Sequence, residues 1–137
     1  MRSLNKKAKS IFNKCVAGLN EPGESRRIGN AANGFMPLIV ECVATWQTSH
    51  IYSLAHYGEQ NGDLMCDPEM TFLLGPNGDV RPLTYRNDFV GIDQVAAEPN
   101  DETGWKFNQK LQHELCTFAQ QWLSNIDEQQ DLDQPQG

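Results

Sequence analysis

Apolar side chains recur at three- and four-residue intervals near both ends of this chain, and that rhythm gives way to another between them. Leu4, Ala8, Ile11, Phe12, Cys15, Val16 and Leu19 share one face of an amphipathic helix, with Lys6, Lys7, Lys9 and Lys14 mainly on its wet side. Leu111, Leu115, Phe118, Ala119, Trp122 and Ile126 trace a second stripe, with Phe107 as its extension. This helix is expected to begin near Asp101 or Glu102 and run to Ile126, with Trp122 as a core anchor.

The middle of the chain reads as strands. Phe35–Trp46 carries branched apolar bulk at Leu38, Ile39, Val40 and Val43, and Ile51–Tyr57 suits a second strand. Met70–Leu74 and Val80–Tyr85 flank Gly75-Pro76-Asn77-Gly78-Asp79, whose Asn-Gly pair tolerates positive φ in a tight antiparallel reversal. Asp88–Glu98 adds a short edge strand through Val90, Ile92 and Val95, ended by Pro99 and Asn100. Asn20–Gly34, with Pro22, Asn30, Asn33 and three glycines, reads as a connection, as does the turn-rich Gly58–Pro68.

The expected fold is therefore α+β, a mostly antiparallel sheet of three to five strands packed against N-terminal and C-terminal helices. Residues 1–126 form one domain, and 127–137 a polar acidic tail that frays. A chain of 137 residues buries roughly two-thirds of its unfolded surface, enough for a core without metal or disulfide staples. Cys15, Cys42, Cys66 and Cys116 are too dispersed for a zinc signature and read as free thiols of a reducing compartment. The longest strongly apolar stretch, Phe35–Val43, is far below the roughly 20 residues of a membrane span, and the lysine-bearing N-terminus has no contiguous apolar block of a secretion signal. A cytoplasmic protein is expected.

The net charge of -7 is divided unevenly. Residues 1–27 hold seven Lys/Arg against Glu21 and Glu24, whereas the remainder holds four against sixteen Asp/Glu. Such polarity keeps a protein soluble and steers a charged partner. It opposes direct nucleic-acid binding, so the sheet aromatics Tyr52, Tyr57, Phe72, Tyr85 and Phe89 are assigned to packing.

One segment concentrates chemistry. His56, Glu59, Asn61, Asp63, Asp67 and Glu69 form a candidate functional turn, in which Gly62 and Pro68 bend the chain. His56, Glu59, Asp63 and Asp67 are candidate ligands for a divalent metal, because neutral imidazole and carboxylate offer suitable lone pairs, although neither the HExxH nor the EF-hand pattern is present. Alternation from Leu54 directs His56 toward an apolar side, where it is held by a backbone or carboxylate hydrogen bond or acts as a base. Cys66 has no recognised nucleophile motif around it, and Arg81 and Arg86 are placed to pair with Asp79, Asp88 or an acidic partner.

The stretch LAHYGEQNGDLMCDPEMTFLL, continued by PLTYRNDFVGI and FAQQWLSNI, resembles a small uncharacterised family of bacterial and phage domains associated with plasmids, prophages and other mobile elements. The resemblance spans Phe35 to Ile126 and implies a shared fold and a mobile-element setting. It brings no catalytic set, cofactor or substrate. Gly58 departs from the pattern, standing where a bulkier aromatic residue often follows His-Tyr, and Cys66 occupies a position commonly given to other residues.

Three functions compete. The first is a non-enzymatic accessory or protein-binding domain with a protein partner and no cofactor. The second is a metal-dependent enzyme acting on a phosphate-containing substrate through the His56–Glu69 region, where a divalent metal activates water. The third is an acidic mimic of nucleic acid that inhibits a defence or replication protein, which requires a continuous carboxylate surface.

Overall fold

In the structure, a computed structural model describing residues 1–29, 34–130 and 132, the two predicted helices lie against one face of an antiparallel sheet. Helix α1 (Lys6–Val16) begins where Asn5 accepts the Ala8 N–H at 2.9 Å, and all seven residues of its apolar stripe are buried. Helix α2 (Gln109–Gln130) begins where Asn108 accepts the Leu111 N–H at 3.0 Å. Between them run β1 (Ser25–Ile28), β2 (Leu38–Trp46), β3 (Ser49–Gln60), β4 (Asp63–Leu74), β5 (Val80–Asn87), β6 (Ile92–Val95), β7 (Ala97–Asn100) and β8 (Gly104–Phe107). The first six form one sheet in chain order, and β7 pairs with β8.

The α+β reading is right, but eight strands replace three to five. Three added strands, β1, β7 and β8, account for the difference, and β3 and β4 are longer than expected; each change has a local cause. Asn20–Gly34 is not wholly a connection: Ser25–Ile28 pairs with Leu38–Glu41, while Asn30 and Asn33 lie outside the described residues. Gly58–Pro68 is not a broad turn either. Asn61 and Gly62, at φ 54° and 86°, reverse the chain in two residues, so the ladder runs up to Gln60 and restarts at Asp63.

Pro99 and Asn100 do not end the β region, and no helix starts at Asp101 or Glu102. Asn100 Oδ1 accepts the N–H groups of Glu102 and Thr103, and Gly104, at φ 88°, closes a hairpin that sends Trp105–Phe107 back along β7. Phe107 is thus a strand residue rather than part of the helical stripe. At the other end α2 continues past Ile126, because the buried Gln130 donates from Nε2 to Met36 O at 3.0 Å and fixes the last turn. Residues 127–130 therefore belong to the helix; of the remaining tail only Leu132 is among the described residues.

Phe12, fully enclosed, meets Tyr52 edge-on at 5.8 Å and Phe72 at 5.2 Å, joining α1 to β3 and β4. Enclosing such a side chain stabilises the fold by about 1.5–3 kcal/mol. Gln112 is the buried polar tie: it accepts from Arg2 N at 2.8 Å and donates to Arg2 O at 2.7 Å, locking the extreme N-terminus to α2. All four cysteines are buried and unpaired, and burial pushes the Cys15 thiol up to about 12. No helix among the described residues is long and apolar enough to cross a membrane.

The other face of the sheet is only partly covered. The β7–β8 hairpin lies over Leu73 and Leu83 through Ala97 and Trp105, and Trp105 meets Trp46 at 5.1 Å. Ser53, Tyr57, Glu69 and Thr71 line a groove on the remainder of that face.

Candidate functional site

The six residues of the sequence-derived turn divide among three places. Glu59, Asn61 and Asp63 sit at the exposed tip of the β3–β4 hairpin. His56 and Asp67 share a cavity between the sheet and α2. Glu69 lies on the opposite face of the sheet. Strand pairing forces this separation: side chains alternate between faces, and Glu59 and Asp63 are carried away from His56 by two extended strands. The four proposed metal ligands are not brought together, and no group of three or more His, Cys, Asp or Glu with metal-holding geometry occurs among the described residues.

A bulge in β4 decides which residues do meet. Ala55 pairs with Glu69 and Tyr57 with Cys66, so Asp67 and Pro68 together oppose His56. The extra residue places Asp67 beside His56 on the helix side and leaves Cys66 and Glu69 both facing Tyr57. Glu69 accepts hydrogen bonds from Tyr57 and Ser53, each at 3.3 Å. Burial, and then the neighbouring Glu69 carboxylate, push the Tyr57 phenol up to about 12. The groove above these groups has a volume of about 300 Å³, with Ile39, Glu41 and Val43 as its other wall.

His56 is only 6% exposed. The alternation from Leu54 holds, and the ring meets Trp122 edge-on at 5.6 Å. Its Nδ1 lies 3.1 Å from Pro37 O. A carbonyl only accepts, so the proton resides on Nδ1, and the neutral ring presents a lone pair at Nε2. Burial lowers the His56 pKa, while the Pro37 carbonyl and the Asp67 carboxylate oppose that shift. Of the two hydrogen bonds expected for His56, backbone or carboxylate, the structure shows the main-chain one, with Asp67 close enough to act through its charge. Asp67 itself accepts from Asn87 Nδ2 at 3.0 Å.

The cavity measures about 370 Å³ and is lined by Phe35, Met36, Pro68, Asn125 and Gln129 as well as His56, Asp67 and Trp122. The sequence assigned Trp122 to the core, and it is buried; its contribution to a cavity wall was missed. Positions 122, 125 and 129 fall on one helical face, and two amides interrupting an apolar stripe were the available signal.

A second surface feature lies at the sheet's last strand. Phe89, Val90, Ile92 and Val95 are all exposed, Val90 by 64% and Val95 by 55%. Among the described residues β6 pairs only with β5, through Asn87–Thr84. A cleft of about 340 Å³ continues from Val95 past Glu98 to the exposed Phe107. Gly58 also finds its explanation here, since a Cβ at that position would meet the Phe89 ring at 3.0 Å. The ring occupies the place of the larger side chain expected after His-Tyr.

Residues 6–132 match a family described as Domain of unknown function (DUF6908). No curated protein and no solved structure matches the chain.

Proposed function

We propose that this chain, which belongs to the DUF6908 family, is a protein-binding accessory domain that receives an extended segment of its partner along β6. The observation that carries this reading is the exposure of apolar side chains on both faces of a terminal strand, Ile92 and Val95 within β6, and of Val90 just before it. A terminal strand presents unpaired backbone donors and acceptors on its outer side, and soluble proteins ordinarily guard such an edge with charge or proline. β6 carries only Asp93 for that purpose. Added strands bind through the backbone and are selected by alternate side chains.

Charge supports a basic partner segment, because residues 28–137 carry sixteen carboxylates against four Lys/Arg. Such a field accelerates encounter with a positively charged chain. A cytoplasmic role in a bacterial or phage mobile element accords with the resemblance carried by the His56–Met70 phrase, and it supplies host proteins as partners.

The test is direct binding of partners captured from host lysate, compared between the wild type and Val95→Lys. Val95 is exposed, so the variant is expected to keep its stability within about 0.5 kcal/mol while losing at least tenfold in affinity. Unchanged affinity for every partner removes β6 as the binding edge. Absence of any saturable protein partner, together with reproducible turnover of a small molecule, rejects the binding function itself.

A further inference from the structure

The cavity around His56 is not used by strand addition at β6, and its chemistry is specific. Among the described residues that line it, Asp67 carries the single formal charge, with no lysine or arginine in the wall. His56, bonded through Nδ1 to Pro37 O, turns a second acceptor, Nε2, away from that bond. Asn87 occupies one Asp67 oxygen, Oδ1, and its bond fixes the carboxylate relative to β5. The remaining wall combines the aromatic rings of Phe35 and Trp122 with Met36, Pro68 and the amides of Asn125 and Gln129.

We infer that this cavity is a binding site for a small planar cation of the amidinium or guanidinium class. Two acceptors from different strand positions suit a ligand with two N–H donors in one plane, the geometry in which a carboxylate is bound in bidentate fashion. Aromatic walls favour a flat, weakly hydrated cation over a compact ammonium, whose hydration shell is costly to remove. Phosphates and carboxylates are excluded by the Asp67 charge without a compensating base. The volume, about 370 Å³, lies at the small end of the range for ligand sites, roughly 300–1,000 Å³, and admits one ring with one charged substituent.

The site is constructed by the fold and not by a surface cluster. The bulge places Asp67 opposite His56, β2's entry provides Pro37 O, and α2 supplies Trp122, Asn125 and Gln129 at one-turn and two-turn spacing. His56 is more than nine-tenths buried and lines the cavity, where the Pro37 and Met36 carbonyls lie beside its ring.

The test uses benzamidinium as the probe, followed by the Trp122 indole and His56 ring signals in NMR titration of the whole chain. Saturable shifts at both residues are expected, with a dissociation constant on the order of 1 mM. Benzoate, with the same ring and opposite charge, is expected not to bind, and benzylammonium, with the charge on a tetrahedral nitrogen, to bind at least fivefold more weakly. Asp67→Asn keeps an oxygen for Asn87 and is expected to weaken benzamidinium at least tenfold at unchanged melting temperature. His56→Gln, a second variant that retains polar character, is expected to weaken it about threefold or more.

No saturation by about 20 mM benzamidinium, equal binding of benzoate, or full affinity in Asp67→Asn each overturns the inference. Equal affinity for benzylammonium overturns its planar selectivity. Val95→Lys leaves this titration unchanged, so failure of the cavity and failure of the β6 edge are read separately.

Discussion

The sheet has two terminal strands of four residues each, and they are finished in opposite ways. β1 is tied inward: Ile28 is buried, and Arg26 donates through its guanidinium to the carbonyls of Cys15 and Ala17 at the end of α1. Its outward residues are Ser25 and Arg27. Polar and charged termini of this kind resist pairing with another chain. β6 reverses the pattern, with Ile92 and Val95 exposed at its ends and Asp93 and Gln94 between them. Equal length thus conceals different uses: one edge closes the core against α1, and the other keeps apolar surface available.

The largest effect is expected from the same truncation applied to both edges. Ile28→Ala removes a side chain that is 1% exposed and should destabilise by about 2–5 kcal/mol. Ile92→Ala, at a position 38% exposed, should change stability by less than about 0.5 kcal/mol. Denaturant unfolding of the two variants measures the contrast directly. Equal losses would mean that β6 is as structural as β1, and the binding role assigned to its apolar residues would lose its basis.

A smaller effect isolates the tie that closes β1. The last carbonyls of a helix have no intrahelical partners, and Arg26 satisfies two at the end of α1. Arg26→Ala should cost about 1–2 kcal/mol, less than a fully buried charged bond because the side chain is half-exposed. Hydrogen exchange is expected to rise first at Leu19 and in β1, with β5 and β6 unaffected. A uniform rise across the sheet would show that the arginine supports the whole fold and not one edge.

The contrast between edges explains what the sequence disclosed. Helix stripes were legible because Leu4–Leu19 and most of Leu111–Ile126 report their burial locally, through spacing alone; Phe118, 40% exposed, is the exception in the second stripe. The Gly75–Asp79 reversal was equally legible, since Gly75 N to Asp79 O and Gly78 N to Gly75 O are bonds within the turn itself. β1, the outer halves of β3 and β4, and the β7–β8 hairpin were not. Their residues are largely exposed and polar, so no apolar pattern marks them; β1 takes its strand character from a partner distant in sequence, Arg26 with Val40, and the others take theirs from pairing across short polar turns. The site divides the same way. His56 followed alternation from Leu54, whereas its meeting with Asp67 depends on a bulge that no residue type announces. Glu59 and Asp63 are near His56 in sequence, but a two-residue hairpin carries them to the tip.

The smallest effect concerns acid, and it joins the cavity to the closed edge. Ile28 pairs with Leu38, and Leu38 with His56, so one row crosses β1, β2 and β3. Burial holds the His56 pKa below its ordinary 6.5. The unfolded chain therefore binds a proton more readily than the folded one, and stability from the neutral ring is complete above about pH 6.5. It is lost progressively as pH falls from there toward the lower folded value. Glu24 and Asp88 have lowered values as well, Glu24 through N–H groups of Glu21 and Asn20, Asp88 through the Cys66 N–H and then Arg86. Their contributions fall away only below the ordinary carboxylate range, leaving the interval between about pH 6.5 and 4.5 to His56. The melting temperature is expected to drop between pH 7.5 and 5.5 in the wild type and to stay nearly level in His56→Gln. Hydrogen exchange at pH 5.5 should loosen the Ile28–Leu38–His56 row before the Asn87–Ile92 pairing. An equal drop in His56→Gln assigns the acid sensitivity elsewhere, and loosening that starts at β6 reverses the order of the two edges.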